Sequence, residues 1–300
     1  MEEFIKPCED CLGEGKCDIT RQNLGGFDSQ FCESCFHIVS YLKKIKDSRI
    51  KAKRPKKEEP KIRNVREDIA PRIEIKKNGV YCGDSLDLIS NIKDSSIDLV
   101  VTDPPYGMNW QSNNRKEKWD LIENDNDLSF LSEMVEQLHR VTKEDSHLYI
   151  FCSWHKVDIF KQEIEKIFRI KNMIIWEKKG GGMGDLDGGY APSYEICFFI
   201  NKGRNLSGKR DRDVVVTNRT NNELHSTQKP EELIKYLISK SSEKGEVVLD
   251  MFMGSGTTAV CALELNREFI GFEINEEYFK TLSKRINEKM EELSVQPKLF

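Results

Sequence analysis

A glycine turn between a short apolar strand and a helix restricts the fold more than any other feature of this sequence. The apolar run Val247–Asp250 predicts a strand, Ala259–Leu263 predicts a helix, and Gly254-Ser255-Gly256 lies between them. Glycines let the backbone approach a ligand closely, and a helix N-terminus offers unpaired N–H groups. The segment therefore predicts an α/β fold with a ligand at the turn.

A second strand refines the nature of that ligand. Glu268–Phe272 predicts a strand that ends at Glu273, where a nucleotide-binding unit carries the acid that accepts both ribose hydroxyls. The third glycine of a pyrophosphate cradle is missing, because Thr257 and Thr258 stand in that region. A cofactor without phosphates therefore fits better than a dinucleotide.

A proline-rich acidic segment follows another apolar run. Asp103-Pro104-Pro105-Tyr106 comes directly after the predicted strand Ile97–Val101. The two prolines restrict the backbone, so the Asp103 carboxylate and the neighbouring carbonyls form a stiff group of acceptors. Acceptors suit a planar exocyclic amine, and Tyr106 could cover the ring of a flipped-out base. On these residues alone, an ordinary proline turn with a solvated Asp remains an equal alternative.

Together the two segments resemble the DNA amino-methyltransferases that use S-adenosylmethionine. The order of the motifs, base pocket first and cofactor loop second, is similar to that of their beta class, and the resemblance covers about residues 78–290. It implies an α/β, doubly wound, mostly parallel sheet of the Rossmann-like methyltransferase type. It also implies base flipping in double-stranded DNA and a place in DNA methylation, including restriction-modification.

Three further segments occur in the family's order. Gly83–Leu86 resembles the element whose acid contacts the cofactor's adenine, His225–Pro230 resembles the element that holds its methionine end, and Tyr190–Glu195 resembles the aromatic wall of the target pocket. Each also has an ordinary alternative, such as a helix N-cap for Asp84 or a helix start at Pro230. The resemblance implies the catalytic residues Asp103, Pro104, Pro105 and Tyr106. It implies the cofactor-binding residues Asp84, His225, Thr227, Lys229, Asp250, Phe252, Gly254, Ser255, Gly256, Thr257, Thr258 and Glu273.

The acid at position 103 bears on the chemistry. In the family, Asp at this position tends to accompany adenine N6 and Ser cytosine N4, so we expect adenine, with cytosine as the alternative. A carbon-methylating enzyme would need a cysteine nucleophile, and Pro7-Cys8 lies far from any predicted strand end. A non-catalytic DNA-binding regulator and an enzyme acting on RNA or protein amides remain as alternatives of other classes.

The N-terminal region predicts a small zinc module. Cys8, Cys11, Cys32 and Cys35 form two C-x-x-C pairs, a spacing that suits one structural, tetrahedral zinc ion. Cys17 and His37 are spare candidate ligands. Nothing in the sequence resembles a secretory signal, which disfavours disulfides and predicts a cytoplasmic protein.

Composition divides the chain further. We expect a zinc module in residues 1–42, a basic linker in 43–75 and a methyltransferase domain in 76–295, with target recognition near 202–224. The net charge is −4, yet residues 43–66 carry twelve Lys or Arg against three acids. Such a segment could contact DNA phosphates or remain a solvated linker. Homodimer formation is left open.

Hydrophobic patterns between the motifs predict alternating helices and strands. Leu128–Val141 and Lys156–Phe168 predict helices, whereas Ser146–Cys152 and Met173–Trp176 predict strands. This alternation is typical of a doubly wound sheet.

The last five residues, Gln296–Phe300, resemble the Gln-x-x-Leu-Phe peptide that docks bacterial proteins on the replication sliding clamp. Packing of Leu299 and Phe300 on the domain is the alternative. We expect deletion of residues 296–300 to abolish capture by the clamp in a pull-down while methyl transfer is retained. An unchanged pull-down, or no capture of the intact chain, would remove the clamp hypothesis.

Overall fold

The computed structural model describes residues 73–108, 128–180, 188–220 and 228–295, all within one structural unit of residues 63–300. The four predicted zinc ligands, residues 43–72 of the basic linker, His225, Thr227 and the tail 296–300 lie outside the described residues. Predictions about them are therefore untested.

The described residues form eight strands and six α-helices, which we number in chain order. The strands are β1 (Gly79–Cys82), β2 (Ile97–Thr102), β3 (Thr142–Cys152), β4 (Ile170–Lys179), β5 (Tyr194–Asn201), β6 (Val214–Asn218), β7 (Val247–Asp250) and β8 (Glu268–Glu273). The helices are α1 (Ser85–Ile89), α2 (Phe130–Val141), α3 (Val157–Glu165), α4 (Glu231–Ser241), α5 (Thr257–Glu264) and α6 (Glu276–Val295).

The strands form one sheet in the order β1-β8-β7-β2-β3-β5-β4-β6. Five of the seven pairings are parallel, and β5 runs antiparallel to both of its neighbours, β3 and β4. The expectation of a mostly parallel α/β sheet is thus confirmed. Because β5 is reversed, its first residues lie at the sheet edge where its neighbours end.

Helices cover both faces of this sheet, as expected of a doubly wound fold. Every residue of the central strand β2 is buried, and its side chains alternate between two hydrophobic clusters. Val100 packs in the cluster that contains residues of α1, α2 and α3, whereas Leu99 and Val101 pack in the one that contains residues of α4, α5 and α6. A strand buried on both faces is mostly apolar, as Ile97, Leu99, Val100 and Val101 are. The buried Asp98 is the exception, and its carboxylate pairs with Lys143 and accepts the Val247 N–H at 3.0 Å.

The helices follow the apolar periodicity of their sequences. In α2 the buried residues Leu131, Met134, Val135, Leu138 and Val141 form a single stripe. The predicted strands at Ser146 and Met173 and the predicted helix at Lys156 all exist, with shifted ends. Within the described residues, no helix combines the length and apolarity needed to cross a membrane.

The first residues of β3 show why its start was predicted too late. Ladder pairing with β2 extends the strand back to Thr142, although the side chains of Glu144 and Asp145 are exposed and polar. Hydrophobic pattern alone cannot detect a strand segment whose side chains face water.

Candidate active site

Four adjacent parallel strands end at one edge of the sheet, and a predicted site residue lies at or just after each end. In sheet order, β1 precedes Asp84, β8 ends in Glu273, β7 ends in Asp250, and β2 precedes Asp103. In open α/β sheets, ligands bind outside the carboxyl ends of the strands. The tertiary structure therefore gathers residues that are up to 189 positions apart in sequence.

The buried Asp250 carboxylate joins the two halves of this edge. Its Oδ1 accepts hydrogen bonds from the Thr102 hydroxyl and the Phe252 N–H, both at 3.1 Å, and its Oδ2 accepts one from the Thr258 hydroxyl at 2.7 Å. Thr102 is the residue immediately before Asp103, and its hydroxyl also accepts the Met251 N–H at 3.2 Å. Burial raises the pKa of Asp250 to about 7, and its hydrogen bonds oppose that rise.

The glycine turn has the backbone geometry that its sequence predicts. Gly254 and Gly256 have φ values of 49° and 77°, and Gly256 is the N-cap of α5. The Glu273 carboxylate holds the turn, because Oε2 accepts the Gly254 N–H at 2.8 Å and Oε1 accepts the Asn275 N–H at 2.9 Å. A side chain at position 256 would be strained, because the backbone is left-handed there and the added Cβ would lie 3.2 Å from Leu282 Cβ.

The hydroxyl residues after the turn are buried and bonded to each other. Ser255 and Thr257 lie 3.0 Å apart through their hydroxyl oxygens, and Arg285 donates to the Ser255 carbonyl at 2.7 Å. Phe252, at the start of the turn, contacts Phe130 edge to face. These contacts hold the turn in its conformation.

Asp84 is the N-cap of α1, the ordinary alternative that its sequence allowed. Its carboxylate accepts the Leu86 N–H at 2.8 Å, and the N–H of Gly83 donates to the Glu273 carbonyl at 2.9 Å. Because Cys82 pairs with Glu273 in the β1–β8 ladder, Asp84 lies beside the glycine turn. A capping carboxylate retains free lone pairs, so capping and ligand contact are compatible.

The proline segment forms a stiff wall around Asp103. Pro104 is buried, and the Tyr106 hydroxyl donates to Asp103 Oδ1. The Tyr106 ring meets Phe160 edge to face, with the ring centroids 6.3 Å apart. Burial, with the Asp103 charge, raises the pKa of Tyr106 well above its ordinary value, so the phenol stays protonated as a donor.

Asp103 belongs to an ion cluster with Lys229, Glu195 and Lys178. The Lys229 ammonium donates to Asp103 Oδ2 and lies 3.2 Å from Glu195 Oε2, while Lys178 donates to the other oxygen of Glu195. Only 7% of the Lys229 side chain is exposed. Its ammonium also lies 5.0 Å from the centroid of the Phe151 ring. Cations and carboxylates alternate along this chain of four residues.

The charges of the cluster depend on one another. Burial raises the pKa of Asp103, and Lys229 opposes that rise. Burial also acts to raise the pKa of Glu195, but the ammonium groups of Lys229 and Lys178 lower it. The two carboxylates in turn raise the pKa of Lys229 against the effect of burial. Lys229 is therefore a permanent cation at neutral pH.

The structure places some predicted residues differently from the sequence expectation. The resemblance implies that Lys229 binds the cofactor, and in the structure its ammonium lies between Asp103 and Glu195. Tyr190 is fully exposed and Tyr194, the first residue of β5, is 42% exposed, so the aromatic wall that the resemblance implies for this segment stays a prediction.

Sequence reasoning missed two contributors to the site. Lys178 has no motif around it, and it joins the cluster because β4 and β5 pair antiparallel, with Trp176 opposite Glu195. Thr102 lies between the predicted strand Ile97–Val101 and the proline segment, and no sequence motif gave it a role. The one available signal was a polar residue at the buried end of each apolar run.

Comparison with known proteins places this geometry in a family. Residues 97–285 match the family model for N6 and N4 methyltransferases described as DNA methylase. DNA adenine methyltransferase YhdJ of Escherichia coli (strain K12) is 29% identical over 245 residues, covering 68% of this chain and 81% of that protein. Type II methyltransferase M.BglII of Bacillus subtilis is 30% identical over 245 residues, covering 67% of this chain and 66% of that one.

Solved structures give the same fold. The M1.HpyAVI–SAM complex aligns with a TM-score of 0.53 and 25% identity, covering 69% of this chain and 98% of that one. The cytosine-N4-specific PvuII DNA methyltransferase aligns with a TM-score of 0.57 and 16% identity, covering 73% and 93% of the two chains. At that identity the second match supports the fold alone.

The raised pKa of Asp250 predicts a specific pH dependence of stability. A carboxyl group whose pKa is raised on folding stabilises the protein fully below its unfolded value of 3.8, and this contribution is lost as the pH rises through about 7. We expect Asp250→Asn to reduce the loss of unfolding free energy between about pH 5 and 8 by a few kcal/mol at most, at 1.36 kcal/mol per pKa unit. Urea unfolding at the two pH values measures it.

The exposed Asp94 provides the matched control. Its side chain is 73% exposed, so Asp94→Asn removes a carboxylate from the surface and is measured under the same conditions. Equal slopes for the parent chain and Asp250→Asn would show that Asp250 does not titrate in this range.

Proposed function

The chain belongs to the DNA methylase family, and from this premise we propose that it is a site-specific DNA methyltransferase that transfers a methyl group from S-adenosylmethionine to N6 of adenine in double-stranded DNA. The observation that carries the proposal is the contact between Thr102 and Asp250. It holds the Asp103 acceptor group and the glycine turn side by side at one sheet edge. A transfer reaction between a base and a cofactor requires such adjacency.

The residues of the turn fit S-adenosylmethionine. The positive φ values of Gly254 and Gly256 let the backbone approach a ligand. Glu273 Oε2 accepts the Gly254 N–H, and a carboxylate oxygen has a second lone pair that can accept a ribose hydroxyl of the ligand. Asp84 lies on the other side of Glu273 for contact with the adenine of the cofactor. When bound, the cofactor supplies a methyl group activated by its sulfonium.

The residues around Asp103 would bind and orient the target amine. An exocyclic amine has two N–H donors, which the Asp103 carboxylate and the Pro104 carbonyl can accept. These contacts increase electron density on the nitrogen while it attacks, and they hold the amine in line for transfer. The proton released from the amine after transfer can pass to the Asp103 carboxylate, whose pKa burial has raised. No covalent enzyme intermediate is needed.

The identity of the base rests on two observations. Asp at the first position of the proline segment accompanies adenine in the resemblance, and the relative from Escherichia coli is named as an adenine methyltransferase. Methylation of cytosine N4 is the second candidate, because the same acceptors suit its amine and a cytosine-N4-specific enzyme shares the fold. Sequencing methylated DNA from cells that express the chain would distinguish the two bases and reveal the recognition site.

A non-catalytic regulator on the same scaffold is the alternative of another class. It predicts cofactor-independent DNA binding and no transfer of labelled methyl groups to duplex DNA. Within the described residues, Asp103, the glycine turn and Glu273 lie at one edge of the sheet, where they can contact a substrate and a cofactor. This arrangement supports the enzyme. Clamp binding by residues 296–300 and homodimer formation remain proposals based on the sequence.

The N-terminal zinc module is likewise a proposal. Four thiolates in two C-x-x-C pairs suit a structural zinc ion that folds a segment too small for its own hydrophobic core. We expect elemental analysis of the purified full chain to find about one zinc per chain. The double variant Cys8→Ser with Cys11→Ser should lose it, and a metal content unchanged by that double variant would contradict the assignment.

Replacement of Asp103 tests the catalytic proposal. We expect Asp103→Ala to lower the rate of methyl transfer to duplex DNA by roughly 10²-fold or more, since an acceptor used in the transition state is lost. Cofactor affinity, measured by calorimetry, should stay within about threefold, because the Asp103 oxygens bond Tyr106 and Lys229, which lie outside the glycine turn.

The control for this variant is Asp94→Ala, which removes an exposed carboxylate paired with Arg140 and should retain full activity. If the parent chain transfers no methyl group to adenine or cytosine, the proposed function is wrong. Equal rates for Asp103→Ala and the parent chain would remove Asp103 from the mechanism.

A further inference from the structure

The surroundings of Asp103 are unusual for a carboxylate that must accept a hydrogen bond from a target amine. Both of its oxygens are already engaged, Oδ1 by the Tyr106 hydroxyl and Oδ2 by the Lys229 ammonium. Lys229 also pairs with Glu195, which in turn pairs with Lys178. Lys229 is buried and the other three side chains are only partly exposed, so each charge depends strongly on its neighbours.

We propose that Lys229 is a positioning residue for Asp103, whose ammonium keeps the Asp103 carboxylate charged and in place, and that Glu195 holds Lys229 for this task. The proposal rests on the proposed function, since it concerns the residue that accepts the target amine. It assigns to Lys229 a role on the target side of the site in place of the cofactor contact that the resemblance implies.

The arrangement explains why two carboxylates are needed around one ammonium. A buried Asp without a cation becomes protonated, and a protonated Asp103 loses an acceptor for the amine. A cation bound to Asp103 alone would compete with the amine for the same oxygen. Glu195, 3.2 Å from the ammonium, offers it a second partner, so Lys229 can remain in the pocket when the amine donates to Asp103.

Other titratable groups also face Asp103. Burial is the main cause that raises the pKa of the Cys152 thiol to about 12 and that of the Cys197 thiol well above its ordinary value, so both are neutral. Asp250 is the exception, with a pKa of about 7. Variants must therefore be compared with Asp250 left in place. The groups that surround Asp103 are Tyr106 on its own segment, Cys152 at the end of β3, Glu195 and Cys197 on β5, Asp250 on β7 and Lys229 before α4.

Two substitutions should move the ionisation of Asp103 in opposite directions. Lys229→Met removes the nearest cation and should raise the pKa of Asp103 by about one unit or more, whereas Glu195→Gln removes the nearest anion and should lower it. Lys229→Arg retains the charge and should lie between Lys229→Met and the parent chain. A purely structural role for the cluster would not produce shifts of opposite sign.

The experiment uses the full chain and two measurements. The pKa of Asp103 is followed by NMR of ¹³C-labelled aspartate carboxyl groups, with Asp103→Asn to assign the signal. The acid limb of the pH profile of kcat/KM should move with it, because that limb reports the ionisation of the free enzyme. At neutral pH, Lys229→Met should lose roughly tenfold or more in kcat/KM for each pKa unit that places the limb above the assay pH.

Cofactor affinity separates the two roles of Lys229. Calorimetry with S-adenosylmethionine should give dissociation constants within about threefold for Lys229→Met and the parent chain. Lys235→Met is the matched control, since Lys235 lies on α4, the helix that begins just after Lys229, and also pairs with two carboxylates, Glu231 at 3.0 Å and Glu264 at 2.5 Å. It should change neither the Asp103 signal nor the pH profile.

Several results would overturn the proposal. A loss of cofactor affinity of tenfold or more in Lys229→Met with an unmoved Asp103 signal would return Lys229 to the cofactor site. Shifts of the same sign in Lys229→Met and Glu195→Gln would also refute it. If Lys229→Met does not fold, the absence of a downward shift in Glu195→Gln decides against it. An inactive parent chain would refute the proposed function, whereas the NMR titration would still test the role of Lys229.

Discussion

The hydrogen bond between the Thr102 hydroxyl and the Asp250 carboxylate is the contact on which the arrangement of the site depends. It joins the ends of β2 and β7, and the other oxygen of Asp250 binds Thr258 in the first turn of α5. One buried carboxylate thereby sets the position of the proline segment relative to the glycine turn. Both oxygens of Asp250 accept hydrogen bonds, which offsets the cost of burying the carboxylate.

A second cluster of polar side chains lies at the same edge of the sheet and has a different role. Asp103, Lys229, Glu195 and Lys178 form a row of alternating charges, and such a row contributes little net stability because of the cost of desolvation. In the role proposed for Lys229, the row fixes the charge of Asp103. The neighbouring thiols and phenol remain neutral, so the charges near Asp103 are those of this row and of Asp250.

Strand direction explains how both groups arise in one place. The parallel strands β1, β8, β7 and β2 all end at this edge, and a polar residue lies at or just after the end of each. The reversed strand β5 brings its first residues, including Glu195, to the edge where β3 and β4 end. Lys178 and Glu195 thus meet through antiparallel pairing, whereas Thr102 and Asp250 meet through parallel pairing.

The sequence by itself determined the α/β class, the glycine turn, the stiff proline segment and the acids that follow the strands. Strand periodicity and the conformational limits of glycine and proline are local properties, so they can be read from residues such as Gly256 and Pro104. Only the tertiary structure decided that Lys229 pairs with Asp103 and Glu195, and that Lys178 and Thr102 belong to the site. Those contacts join residues between 17 and 148 positions apart, and they depend on strand order and direction, which no local pattern encodes.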